Sequence, residues 1–109
     1  METTKVVLLE KNCGIWFETV KLVKSVNDLR SLFHPYEDSI IQVNIDKYRK
    51  VFYNYGFLDD KGVAAKVKDM NGEMHYMCSP ILIVQCDDEK PINIESDVLN
   101  SIKELIDFC

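Results

Sequence analysis

Residues 81–86 read ILIVQC, with five of six positions apolar. The run is too short for an ordinary helix and is bounded by Pro80 and an acidic turn, so it reads as a strand. Both of its parities are apolar, and a strand of that kind must be covered on both faces. The chain therefore has to build a sheet inside a layered domain. It has the material to do so: 109 residues, 47% hydrophobic and 28% charged, are ordinary values for a globular chain. A domain of this length buries roughly 65% of its unfolded surface and folds without metal or disulfide staples.

The rest of the chain supplies the neighbours of that strand. Lys5–Leu9 is a short apolar run, Asn12 and Gly14 are turn residues, and Ile15–Val23 resumes as a second strand, which predicts a hairpin. The stretch KSVNDLRSLFHP predicts a helix, with Ser25 as N-cap, Asp28 at the capping-box position and Pro35 as the stop. Val26, Leu29, Leu32 and Phe33 form its apolar stripe. Ser39–Ile45 reads as a strand with Ile41, Val43 and Ile45 on one face, and Val51–Leu58 as an aromatic strand. DDKG at 59–62 reads as a turn and Val63–Asp69 as a weaker strand. Asn71-Gly72 signals a type I′ hairpin leading into Glu73–Cys78. Ser79-Pro80 predicts an edge, a bulge or a strand start. After a loop at DDEKP, a helix is expected over Asp97–Cys109, capped by Ser96, with Val98, Ile102, Leu105, Ile106 and Cys109 on its buried stripe.

The order β-β-α-β-β-β-β-β-α predicts one α+β domain over 1–109. Its sheet is largely antiparallel, with five to seven strands, and its two helices lie against one face. There is no internal repeat or low-complexity stretch, and no apolar run approaches the roughly 20 residues of a membrane-spanning helix. The start, METTKVVLLEKNCG, holds only a four-residue apolar core, VVLL, so a signal peptide is not expected. A cytoplasmic protein with reduced structural thiols at Cys13, Cys78, Cys86 and Cys109 is the expectation.

Motifs that carry chemistry are sparse. His75 and Cys78 are three apart within a strand-like run, where such positions point to opposite faces, and no C-x-x-C occurs, so no metal is expected. Cys78 or Cys13 could be set against His34 or His75 as nucleophile and base, but no local signature supports it. The four glycines are too far apart for a phosphate-cradling loop. The adjacent pairs Asp59-Asp60 and Asp87-Asp88 read as solvated turn residues. The expectation is a non-enzymatic protein without a cofactor.

Charge is more telling. Residues 1–86 carry eleven acids and eleven bases, so the net charge of −5 resides in residues 87–109. Such a chain repels phosphate, which argues against direct binding of nucleic acid. The segment YRKVFYNYGF, 48–57, holds five of the ten Phe and Tyr residues. As a strand it would turn Val51, Tyr53, Tyr55 and Phe57 inward and Phe52, Asn54 and Leu58 outward. An exposed Phe52 with Tyr48 and Trp16 then becomes a candidate contact patch.

KVVLLE, SVNDLRSLF, SIIQVNI and the closing stretch CSPILIVQCDDEKPINIESDVLNSI follow a recognisable layout. In that layout the chain resembles a family of small α+β domains encoded by bacteriophages, plasmids and other mobile elements. Ser79 and Gln85 depart from its pattern, which has glycine at the first of these. The resemblance transfers no catalytic residues. It implies a genomic setting in which small proteins act by binding host proteins.

The first functional expectation is therefore a non-enzymatic inhibitor that occupies a host defence protein as a monomer or simple dimer. Asp87, Asp88, Glu89 and Glu95 would meet a basic, nucleic-acid-binding surface, and Tyr48, Phe52 and Trp16 would add apolar contact. The alternative is an oligomeric binder of a small nucleotide signal, with Tyr48, Arg49 and Tyr53 in a pocket between subunits. A small enzyme using Cys78 or His75 is the third.

Overall fold

The computed structural model describes residues 3–88 and 90–109, with Val26 described by its backbone alone. A long hairpin opens the chain, β1 (Thr4–Asn12) and β2 (Ile15–Val23), followed by α1 (Val26–Ser31). Next come β3 (Ile40–Asn44), β4 (Arg49–Asn54), α2 (Leu58–Lys61), β5 (Ala65–Lys68) and β6 (Met74–Met77). The chain closes with β7 (Ile81–Asp87), β8 (Lys90–Ile92), α3 (Ser96–Leu105) and β9 (Asp107–Phe108). The main sheet runs β2-β1-β7-β4-β3, with β8 also paired to β7, and a second, three-stranded sheet runs β6-β5-β9. Every pairing is antiparallel.

The α+β architecture and antiparallel pairing match the sequence expectation. ILIVQC is the interior strand, β7, with Ile81 to Cys86 all buried. Its two parities feed two cores. Ile81 and Ile83 join Val7, Leu9, Val51 and Tyr53 under α3 and the second sheet, where Ile102, Ile106, Ala65, Val67 and Met77 close the layer. Leu82, Val84 and Cys86 join Val6, Leu8, Val23 and Phe33 on the other face, under α1. The helices thus lie on opposite faces, not on one. A strand with two apolar faces needs a cover on each side, and the chain divides its helices between them.

The α1 N-terminus carries a variant of the capping box built with aspartate, its return bond reaching the residue before the N-cap. Ser25 Oγ accepts the Asp28 amide at 3.3 Å, and Asp28 Oδ2 accepts the Lys24 amide at 2.8 Å.

Several local expectations need correction. The aromatic strand ends at Asn54, not Leu58; residues 55–57 form a 3-10 turn, and 58–61 make one helical turn where a plain turn was expected. Asn54 explains the stop. It is fully buried, its Nδ2 donates to the Tyr36 carbonyl, and its Oδ1 accepts the Gly56 amide at 2.8 Å. The side chain captures the backbone that the next strand residues would have paired. A Cβ on Gly56 would lie 2.6 Å from Tyr36 Cγ and 2.8 Å from its Cβ. Gly56→Ala is expected to cost about 1–3 kcal/mol, read from urea unfolding, because Tyr36 must shift against Phe57. Those two rings meet edge-to-face at 5.0 Å.

The type I′ turn lies elsewhere than predicted. Cys13 and Gly14 both have positive φ, 53° and 79°, and join β1 to β2 in the two-residue form. At Asn71-Gly72 only Gly72 does, at 84°, and its amide donates to the Asp69 carbonyl at 3.0 Å. That pattern fits a type I turn closed by a left-handed glycine. The last helix stops at Leu105, and residues 107–108 pair with β5 as β9; Leu105 and Cys109 are exposed instead of completing the apolar stripe. Glu95, not Ser96, is the N-cap residue of α3, with no side-chain capping bond. Of the expected DDEKP loop, Asp87 belongs to β7 and Lys90 and Pro91 to β8, and Pro80 directly precedes β7 as a strand start. No helix of the described residues is long and apolar enough to cross a membrane.

Candidate functional site: the outer edge of β2

β2 is a nine-residue edge strand. The two-residue turn makes Asn12 and Ile15 a hydrogen-bonded pair, and alternation along the hairpin extends that to Phe17, Thr19, Lys21 and Val23. The β1 side agrees: the amides of Lys5 and Lys11 point away from β2, to Asn93 Oδ1 and Ser79 Oγ. The backbone groups of Trp16, Glu18, Val20 and Leu22 therefore face the open edge.

Edges of this length are usually blunted by proline, a bulge, glycine or inward charge. β2 has no proline, bulge or glycine, its one charge on the α3-side face, Glu18, is neutralised from α3, and Ile15, Phe17, Val20 and Leu22 each keep half or more of their surface exposed. Its charges are Glu18 and Lys21, and Glu18 is held by Lys103 at 2.9 Å. Trp16 packs edge-to-face on Phe108 at 5.0 Å, and a cavity of about 250 Å³ opens beside them, lined by Leu9, Phe17, Glu18 and Lys103 as well. The buried Trp16 indole N–H meets no acceptor in the described chain, a local cost of the kind that marks surfaces not shaped for stability alone.

The candidates named from sequence are scattered. Asp87 and Asp88 are exposed at the tip of the β7–β8 hairpin; Glu89 lies outside the described residues. Glu95 is exposed at the start of α3, where its amide donates to Gln85 Oε1 at 2.9 Å. Trp16 lies on the α3 side of the sheet and Phe52 on the α1 side, while Tyr48 is exposed in the β3–β4 turn, so these three do not form one patch. The ligand trio does not converge either. Tyr53 is buried in the α3-side core, and Arg49 is held by Asp46 at 2.8 Å and by Ser101 Oγ at 3.1 Å.

The nucleophile–base pairings do not form. Cys78 Sγ donates to the Asn54 carbonyl, burial pushes its thiol above the ordinary value, and His75 Nε2 bonds Asp69 Oδ2 at 2.9 Å. Such a thiol is protonated at neutral pH and inert. Among the described residues, Asp69, Glu73 and His75 on the β5–β6 hairpin are the group whose ligand atoms lie close enough to share a cation, within 4.8 Å. Asp69 already organises this turn, since its Oδ1 accepts the amides of Asn71 and Glu73 at 2.8 and 3.0 Å.

Three carboxyls are held below the ordinary range. The His34 hydrogen bond does so for Glu37, and the His75 bond with the Glu73 and Asn71 amides for Asp69. At Asp46 burial works upward but is outweighed by Arg49 and two backbone amides. Depressed folded values stabilise the fold above the unfolded pKa, near 4, and that contribution is lost as pH falls through the folded values. Urea midpoints are therefore expected to fall below about pH 4, and less steeply for Asp69→Asn. An unchanged slope in that variant would remove Asp69 from the account.

Comparison with protein-family models, curated proteins and solved structures found no match to this chain.

Proposed function

We propose that the chain is a non-enzymatic binding protein that captures an extended segment of another protein on the outer edge of β2. The supporting observation is a nine-residue edge free of proline, bulge and glycine, with outward backbone groups at four positions and large apolar side chains on both of its faces. Strand addition uses such features directly: main-chain bonds supply affinity, and alternate side chains supply selectivity.

Charge favours a basic partner over a second copy of the chain. Two copies would bring together two charges of −5, whereas a basic segment is drawn in. The exposed Asp87 and Asp88 fit this as a steering field, acting on association rate more than on the contact itself. The likeness to mobile-element domains fits an inhibitor that occupies a host protein, and a host defence protein with a basic, nucleic-acid-binding surface is the partner class proposed.

The test is affinity capture from bacterial lysate with the wild type, Val20→Pro and the double reversal Asp87→Lys with Asp88→Lys, alongside light scattering of the free protein. The proposal expects one basic partner, lost with Val20→Pro and captured more slowly, with weaker salt dependence, by the reversal. Capture that survives Val20→Pro contradicts it. A stable dimer abolished by Val20→Pro would assign the edge to self-association instead.

A further inference from the structure

The α1 side of the main sheet is incompletely covered. α1 has only six residues, and beside it lies a cavity of about 290 Å³. Leu29, Phe33 and Ile40 line one side, and Phe52, Leu82 and Val84 form the sheet floor. That volume is near the lower end for small-molecule sites, and an apolar lining with few polar groups is their usual composition.

The polar groups are the informative part. Lys50 lines the cavity, on the α1 face of β4, and is only 7% exposed. Its Nζ donates to Asn44 Oδ1 at 3.0 Å, and the same oxygen takes a bond from Gln42 Nε2 at 2.8 Å. An ammonium has three donors, and among the described residues this one meets a single, shared, neutral acceptor. Lys50 takes part in none of the ion pairs among the described residues. Buried charges ordinarily have a counter-charge, because desolvation is costly without one. Arg30, the second cation of the lining, is engaged at 3.0 Å by Asp38, whose side chain is fully exposed. Two cations thus meet an apolar cavity where, among the described residues, the one paired acid, Asp38, stands in solvent.

We infer that this cavity is a binding site for a small organic carboxylate with an apolar body, the carboxylate on Lys50 and the body between Phe33, Phe52 and Leu82. The inference is independent of strand capture, since no residue of β2 lines this cavity.

Octanoate and its neutral isostere octanamide are the probes, titrated into the full chain by calorimetry, with chemical shifts reporting location. Octanoate is expected to bind saturably, one per chain, and roughly tenfold or more tighter than octanamide, the value of a charge-assisted bond. Shifts should centre on Phe52 and Lys50. Lys50→Met, which keeps the stem and removes the charge, should erase the difference between the two probes. Equal affinities in the wild type, absence of saturable binding, or shifts confined to other parts of the chain would each overturn the inference. The wild-type comparison stands even if the variant does not fold.

Discussion

Val20→Pro is expected to weaken partner binding by roughly a hundredfold while leaving the fold in place. The Val20 amide faces the open edge, so proline there removes no bond of the β1–β2 ladder. Edge strands tolerate proline with its nitrogen outward. The preceding residue, Thr19, is already extended within β2, as a residue before proline must be. An added strand loses a donor in the middle of its pairing and meets the ring where it must approach. Thr19→Pro is the informative contrast: the Thr19 amide faces Leu8 across the hairpin, so proline there should damage the fold itself. Thermal unfolding and titration with the captured partner, run on both variants, separate these effects.

Ile83→Ala is expected to cost about 2–5 kcal/mol, the range for truncating a fully buried aliphatic side chain. Ile83 is 0% exposed at the centre of β7, opposite Val7 on one neighbouring strand and Val51 on the other. A cavity there opens between two strands and the layer containing Ile102 and Met77, where little can collapse to fill it. With total stabilities of about 5–15 kcal/mol in domains of this size, the variant loses a large share of its margin. Tm should fall by roughly 10–30 °C. Leu105→Ala, on a half-exposed side chain of α3, is the control and should change Tm little. A small effect at Ile83 would mean that β7 is not the keystone of the sheet.

What was legible in the sequence follows from how locally each feature is determined. The apolar run at 81–86 specified an interior strand because its two parities demand cover. The β2 span and the aspartate capping box at Ser25 were readable because turn and cap chemistry act within a few residues. The division into two sheets was not, since nothing local says whether the β5–β6 hairpin joins the main sheet, and its third strand, β9, comes from the far end of the chain. The end of the aromatic strand was missed for a similar reason: Asn54 halts it through bonds to Tyr36 and Gly56, and nothing in the periodicity of 48–57 marks that. The left-handed turn at Cys13-Gly14 was obscured by a cysteine at a position usually held by asparagine or glycine.

For the candidate site, charge counting located the acidic end but could not rank it against the edge. The pattern of β2, IWFETVKLV, already carried the signal: nine residues without proline, glycine or adjacent charges. What the sequence could not supply was the position of β2 at the sheet margin, which turns an ordinary strand into an unguarded one. Phe52 was expected outward and does point away from the larger core, yet α1 folds over that side and makes it part of a cavity lining. The Lys50 environment was also invisible, because a lysine in a strand reads as solvated until its neighbours on β3 and β7 are known.

The most direct test of strand capture at β2 is amide hydrogen exchange along residues 15–23, alone and with a captured partner. Strand capture requires alternation in the free protein, with fast exchange at Trp16, Glu18, Val20 and Leu22 and slow exchange at Phe17, Thr19 and Lys21. With partner bound, the fast set should become slow. Partner binding that leaves those four amides fast, with new protection confined to other segments such as the β7–β8 turn, would contradict it.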